Sequence, residues 1–222
     1  FFCINQDQVN IRPPNELDGS MNEITMTPPE SDRAAQRRHQ VLDAAAICFR
    51  NHGFHGASMA QISKTAGMSP GHIYHYFDSK EAIIAAIVDR DLEEMMEWTE
   101  IFYSSDDILQ SMVDGVSCDV EANTNPECAA LMLEIMAESA RNPQIAATVQ
   151  KSNQIARQRL NGLLIKEMAQ RCAVSSVDVQ VKTDLIAAMF DGLLMKSVHN
   201  PTLDKEALTV LMRQVMLFVL TL

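Results

Sequence analysis

The chain has 222 residues, a net charge of −11, 47% apolar residues but only 5% aromatic ones, and 14 Met against 8 Gly and 8 Pro. That is enough chain for one large or two small domains, and the preference for helix formers over breakers points to an all-α fold. No apolar run reaches the roughly 18 residues of a membrane span, no secretory signal is visible, and five Cys without a CxxC pair fit a reduced, cytoplasmic protein better than a disulfide scaffold or a zinc module.

Residues 1–30 contain two Pro-Pro pairs and no helical period, so they read as a disordered or appended leader set apart from the fold. A first helix is expected from a cap at Ser31 or Asp32. Val41, Leu42, Ala45, Ala46 and Phe49 fall on one face of it, and Gly53 ends it. Ser58 then caps a short helix carrying Ile62 and Ala66, stopped by Gly67. Ser69 caps another, with Pro70 in its first position and Ile73 and Phe77 turned inward. Ser79 caps a long helix from Lys80 toward Tyr103, with Ile83, Ile84, Ile87, Val88, Leu92 and Met95 as its apolar stripe. Further helices are expected over 106–122, 127–141, 143–172, 177–198 and 204–221. The breaks fall at Asn125-Pro126, Asn142-Pro143 and Asn200-Pro201, each placing Pro where the next element opens.

The stretch Ser58–Phe77, two short helices joined at a glycine, has a helix-turn-helix layout. With Ile62, Ala66, Met68, Ile73 and Phe77 forming the small core, Pro70, Gly71, His72, Tyr74, His75 and Tyr76 face outward. Hydroxyls and imidazoles on such a face suit phosphates and base edges. Tyr76 also reads as a core residue, and His72 with His75 as a metal pair, although no third ligand lies at helical spacing and no metal is expected. Charge agrees with nucleic acid. From Arg33 to Lys80 six basic residues stand against two acidic ones, +4. The remaining 12 basic and 27 acidic residues leave −15, and five of the six His lie in the basic window.

In order and spacing, Arg38–Phe49, Gly53-Phe54, Ser58, Ile62, Ala66-Gly67-Met68-Ser69, Gly71, Ile73-Tyr74-His75-Tyr76-Phe77, Lys80 and Ile83-Ile84 resemble the TetR family DNA-binding domain over about residues 33–82. The resemblance implies that Pro70–Phe77 is the recognition helix. Gly71 and His72 would then lie at base edges, Pro70 at a thymine methyl, and Tyr74, His75 and Tyr76 at phosphates or bases. Ser58, Met59 and Ser69 would lie near the backbone, and Lys80 on a phosphate at the start of the long helix. Arg33, Arg37 and Arg38 would reach the adjacent groove or backbone. Ala60 and Gly71-His72 depart from the usual pattern and leave the operator sequence open. The domains are then 31–82 for DNA binding and 83–222 for ligand binding and dimerisation.

The body carries no GxSxG, Walker, HExxH or GxGxxG motif, so neither enzyme activity nor a cofactor is expected. Its Met residues read as core filler or as the lining of an irregular pocket. By the resemblance, Trp98, Phe102, Met132, Glu134, Met136 and Arg157 are candidates for a ligand cavity between bundle helices. Glu134, set among apolar neighbours, would match a cationic ligand. Met189, Phe190, Leu193, Leu208, Met212 and Met216 are candidates for a four-helix dimer interface. CAALMLEIMAESARNPQIA is similar to the BetI-like branch of the family. The expected protein is a homodimeric repressor, bound to near-palindromic double-stranded operator DNA and released by a small-molecule effector. A regulator answering a protein partner or a thiol oxidant, and an enzyme or carrier with a silent DNA domain, are the competing readings.

Overall fold

A computed structural model describes residues 30–173 and 177–222. Among these residues all regular structure is helical: α1 (Glu30–Gly56), α2 (Met59–Thr65), α3 (Pro70–Tyr76), α4 (Lys80–Tyr103), α5 (Ile108–Asn123), α6 (Pro126–Ser139), α7 (Pro143–Gln170), α8 (Val179–His199) and α9 (Lys205–Thr221). The leader lies outside the described residues apart from Glu30. Helix α1 runs from Glu30, so Ser31 and Asp32 lie within its range rather than ahead of it.

Local chemistry sets most of the boundaries. Asn125 and Asn142 each accept two backbone N–H bonds at the start of α6 and α7, with Pro in the first turn. The third Asn-Pro pair behaves differently. Asn200 closes α8, and Asp204 caps α9 by accepting from the Ala207 N–H. Gly53 takes φ +69°, which breaks the regular hydrogen bonding of α1 just before its last residues. None of the described helices is long and apolar enough to cross a membrane.

Two large apolar cores fill the molecule. The first joins α1, α2, α3 and the start of α4 to Leu131 and Ile135 of α6 and to Ile145 and Val149 of α7. The second unites the far half of α4 with α5, α7, α8 and α9. Helix α4 runs through both cores. No flexible linker separates the N-terminal helices from the body, so a displacement of α4 is felt in each.

Candidate functional site

The N-terminal site is built from caps outward. The Ser58 hydroxyl accepts from the Gln61 N–H at 3.2 Å, and the Gln61 side chain accepts from the Ser58 N–H at 2.8 Å. In the turn, Gly67 takes φ +64°, which a side-chain-bearing residue adopts only at a cost. The buried Ser63 hydroxyl donates to the Met68 carbonyl, and the Gln40 amide donates to that of Ala66 at 2.7 Å. Ser69 caps α3 through the His72 N–H. Ile62 and Ile73 are fully buried, with Ala66 and Phe77 beside them.

This inner packing turns the remaining side chains of α3 outward. Pro70, Gly71, His72 and His75 are exposed, and Tyr74 is 51% exposed. Tyr76 is half-buried against the first core, with the rings of His72 and His75 at 5.4 and 5.3 Å. It acts as a packing shelf for the two imidazoles. Met59 is likewise half-buried on that core.

Two cations expected at the DNA have partners within the protein. The Lys80 ammonium donates to the carbonyls of Phe54 at 2.5 Å and Ala57 at 2.8 Å, and lies 4.4 Å from the Phe54 ring. Two of its three donors are therefore engaged inside the protein, where they fasten the start of α4 to the end of α1 and to Ala57. Arg38 lies 4.5 Å over the Phe77 ring.

The second site is a cavity of about 300 Å³ lined by residues of α4, α5, α7, α8 and α9. Trp98, Phe102 and Arg157 line it, with Trp98 and Phe102 in edge contact at 5.5 Å. Arg157 pairs with Asp184 at 2.5 Å, linking α7 to α8. Met132, Glu134 and Met136 do not line it, because α6 presents its inner face to α1 and to the first core. Met132 packs with Ala129 and Leu194, and Met136 is 47% exposed. Glu134 accepts from the Phe54 N–H at 2.6 Å. Next to it, the buried Glu138 carboxylate meets His55 at 3.0 Å and Arg141 at 3.2 Å. The acids of α6 thus grip the same end of α1 that Lys80 holds.

Glu134→Ala is expected to destabilise the protein by about 1.5–3 kcal/mol, since it removes a charged acceptor from a backbone N–H. Met136→Ala, at an exposed position, is expected to stay within about 0.5 kcal/mol of the parent. Equal melting temperatures for the two variants would sink this assignment.

The sequence alone does not point to four acids of the cavity, Asp91, Asp119, Asp184 and Asp191. Asp91 and Asp119 are buried and line it from α4 and α5. Burial pushes the Asp91 carboxyl up to about 7. Arg90 beside it pulls the other way, and Glu94 adds to the rise. Burial likewise pushes Asp119 up to about 7, partly offset by the approach of the Trp98 indole. That approach falls short of a hydrogen bond, because Trp98 Nε1 is buried without a partner, as is Asp91 Oδ2. For the two buried acids the sequence signal is one of position. Asp91 sits between Ile87 and Met95, and Asp119 between Val116 and Val120, at core positions of their helices.

The last two helices also redistribute the expected residues. Phe190, Leu193, Met212 and Met216 are buried within the second core, and Met189 and Leu208 pack against it. Met189 and Leu208, partly exposed, share their faces with exposed apolar side chains, which include Val181, Leu185, Met195 and Val198 on α8 and Val210, Leu211, Leu217 and Phe218 on α9. Leu185 and Met195 are each 47% exposed and Phe218 is 63% exposed.

Both regions have counterparts among known proteins. Residues 41–87 match the family model described as bacterial regulatory proteins, tetR family, and residues 107–218 match that of the BetI-type transcriptional repressor C-terminal domain. The chain is 34% identical over 178 residues to the HTH-type transcriptional regulator UidR of Escherichia coli (strain K12), covering 78% of this chain and 84% of that protein. Among solved structures, Salmonella enterica GusR superposes with a TM-score of 0.68 at 29% identity, over 84% of this chain and 96% of that one. FadR from Bacillus subtilis, solved in complex with stearoyl-CoA, gives a TM-score of 0.69 at 20% identity, over 82% and 97% of the two chains, and is similar in fold.

Proposed function

Given that this chain belongs to the TetR family of bacterial regulatory proteins, we propose that it is a homodimeric repressor that leaves a near-palindromic operator when a small molecule enters the α4–α9 cavity. The observation that carries this reading is the continuity of α4. Its first residue, Lys80, fastens the end of α1, and its later turns carry Asp91, Trp98 and Phe102 into the cavity. At 24 residues the helix is about 36 Å long. A ligand that prefers a displaced α4 therefore repositions α2 and α3, and the coupling equals its difference in affinity for the two states.

In this reading α3 enters the major groove. His72, Tyr74 and His75, with the Gly71 backbone and the Pro70 ring, meet base edges and phosphates. The Ser58 and Ser69 hydroxyls, besides capping, stand near the DNA backbone, while Tyr76 and Met59 support the helix. The remaining N–H of Lys80 can serve a phosphate. The exposed apolar faces of α8 and α9 support dimerisation, since soluble chains rarely leave such contiguous faces to water. Two copies joined there would set two α3 helices one helical turn of DNA apart.

Leu211→Glu with Phe218→Glu is expected to give a monomer by light scattering, because it puts four charges into a symmetric apolar contact. Selective DNA binding would go with it. A double variant that stayed dimeric would show that the subunits meet elsewhere.

The repressor reading is tested by titrating the purified protein against a labelled fragment of the DNA upstream of its own gene across a salt series. Selective binding that weakens steeply with salt is the expected result, with each phosphate contact adding about 0.9 to the logarithmic slope. If neither that fragment nor any sequence selected from random DNA is bound by a folded, ligand-free dimer, the reading fails.

A further inference from the structure

We propose that the cavity takes an amphipathic ligand whose apolar body lies against Trp98 and Phe102 and whose head carries several N–H or O–H donors, an amine or a polyol rather than an acid. This rests on the reading of the cavity as the sensor site and adds the chemistry of what is sensed.

The first argument is charge. The cavity is lined by four carboxyls, Asp91 on α4, Asp119 on α5, and Asp184 and Asp191 on α8. Among the described residues, Arg157 of α7 is the single cationic side chain in the lining, and it is already paired with Asp184. An anionic head would find the one guanidinium of the lining already engaged by Asp184 and would oppose ionisation of Asp91 and Asp119, whereas a donor-rich head meets carboxyl acceptors. The second argument is unmet hydrogen bonding. Buried polar atoms nearly always have partners. Asp91 Oδ2 and Trp98 Nε1 are buried without one, and both residues face the same space. A donor from the ligand completes Asp91. A hydroxyl can in addition accept from the indole N–H, which an ammonium cannot do. The third argument is shape, since the aromatic pair and the methionine and leucine side chains leave an apolar remainder for a hydrocarbon or ring.

The groups around the two buried acids fix the proton linkage. Arg90 and Glu94 flank Asp91 along α4, Trp98 faces Asp119, Arg157 approaches from α7, and Asp184 and Asp191 from α8. An ammonium head stabilises the ionised carboxylates, so its binding releases protons near neutral pH. A polyol head binds with little proton release.

The experiment uses the full ligand-free chain without DNA, so its outcome is independent of whether ligand relieves repression. Trp98 is the sole tryptophan, and its emission reports occupancy directly. Hexylammonium, hexyl β-glucoside and hexanoate are titrated at pH 7. The proposal expects the amine or the glucoside to shift Trp98 emission at least tenfold more tightly than hexanoate. Asp91→Asn and Asp119→Asn are expected to weaken an amine tenfold or more, and a glucoside less. Calorimetry in two buffers of different ionisation heat separates the two heads by the protons released. Hexanoate binding as tightly as the others, or no response from any of the three, overturns the proposal.

Discussion

Replacing both His72 and Tyr74 by Ala is expected to lower selective operator affinity by roughly 10²- to 10⁴-fold, taking about 1–3 kcal/mol for each good base contact. The same variant is expected to melt close to the parent, because both side chains lie on the outer face of α3 outside the core, His72 touching only the Tyr76 ring among the aromatic residues. Residual binding to unrelated DNA is expected to survive, since phosphate contacts elsewhere carry it. Fluorescence anisotropy with operator and scrambled duplexes measures both quantities. Ile73→Ala is the contrasting variant. Ile73 is fully buried, so its truncation costs about 2–5 kcal/mol of stability and removes binding by unfolding the reader. A His72 and Tyr74 double variant that kept full selectivity would mean that α3 does not read the bases.

The second large effect concerns the buried acid of α5. Asp119 is held near 7 against an ordinary carboxyl value of 3.8, chiefly by burial. Its folded-state proton affinity is raised, so the unfolded chain gives up the proton first as pH rises. Between about pH 4 and 7 the acid therefore draws stability down, and above 7 the loss is complete. Asparagine has nearly the same shape and never ionises. Asp119→Asn is thus expected to stabilise the ligand-free protein at pH 8 by up to about 4 kcal/mol, at about 1.4 kcal/mol for each tenfold change in proton affinity between the folded and unfolded chain. The gain is expected to shrink toward zero near pH 4. Chemical denaturation at pH 5 and pH 8 measures the trend, and a gain that did not grow with pH would refute the burial argument. Against total stabilities of about 5–15 kcal/mol the change is large.

Helix α6 and the start of α4 hold the end of α1 together. The acids of α6 hold it from one side while Lys80 holds it from the other. The N-terminal helices are thereby fixed to both α4 and α6, and of these two only α4 lines the cavity, so on the proposed reading their relative motion is what a ligand would bias.

The elements themselves were legible in the sequence because their causes are local. Ser58, Ser69, Asn125 and Asn142 cap the helices that follow them, through bonds to the next few N–H groups. Gly67 makes the turn that its lack of a side chain allows. The outer face of α3 followed as well, because Ile73 and Phe77 leave a short helix only one way to turn. Tertiary structure alone decided what depends on partners distant in the chain. Glu134 and Met136 share a helix with Met132, yet one binds the Phe54 backbone, one meets water and one is buried. Lys80 finds two carbonyls 23 and 26 residues away. Helices α8 and α9 are apolar over more than one face, and periodicity cannot choose between two apolar faces. Packing against α5 and α7 drew Phe190, Leu193, Met212 and Met216 inward and left Leu185, Leu211 and Phe218 outside. Capping and turning are settled within about four residues of chain, whereas the facing of an all-apolar helix is settled by whichever neighbour buries more surface.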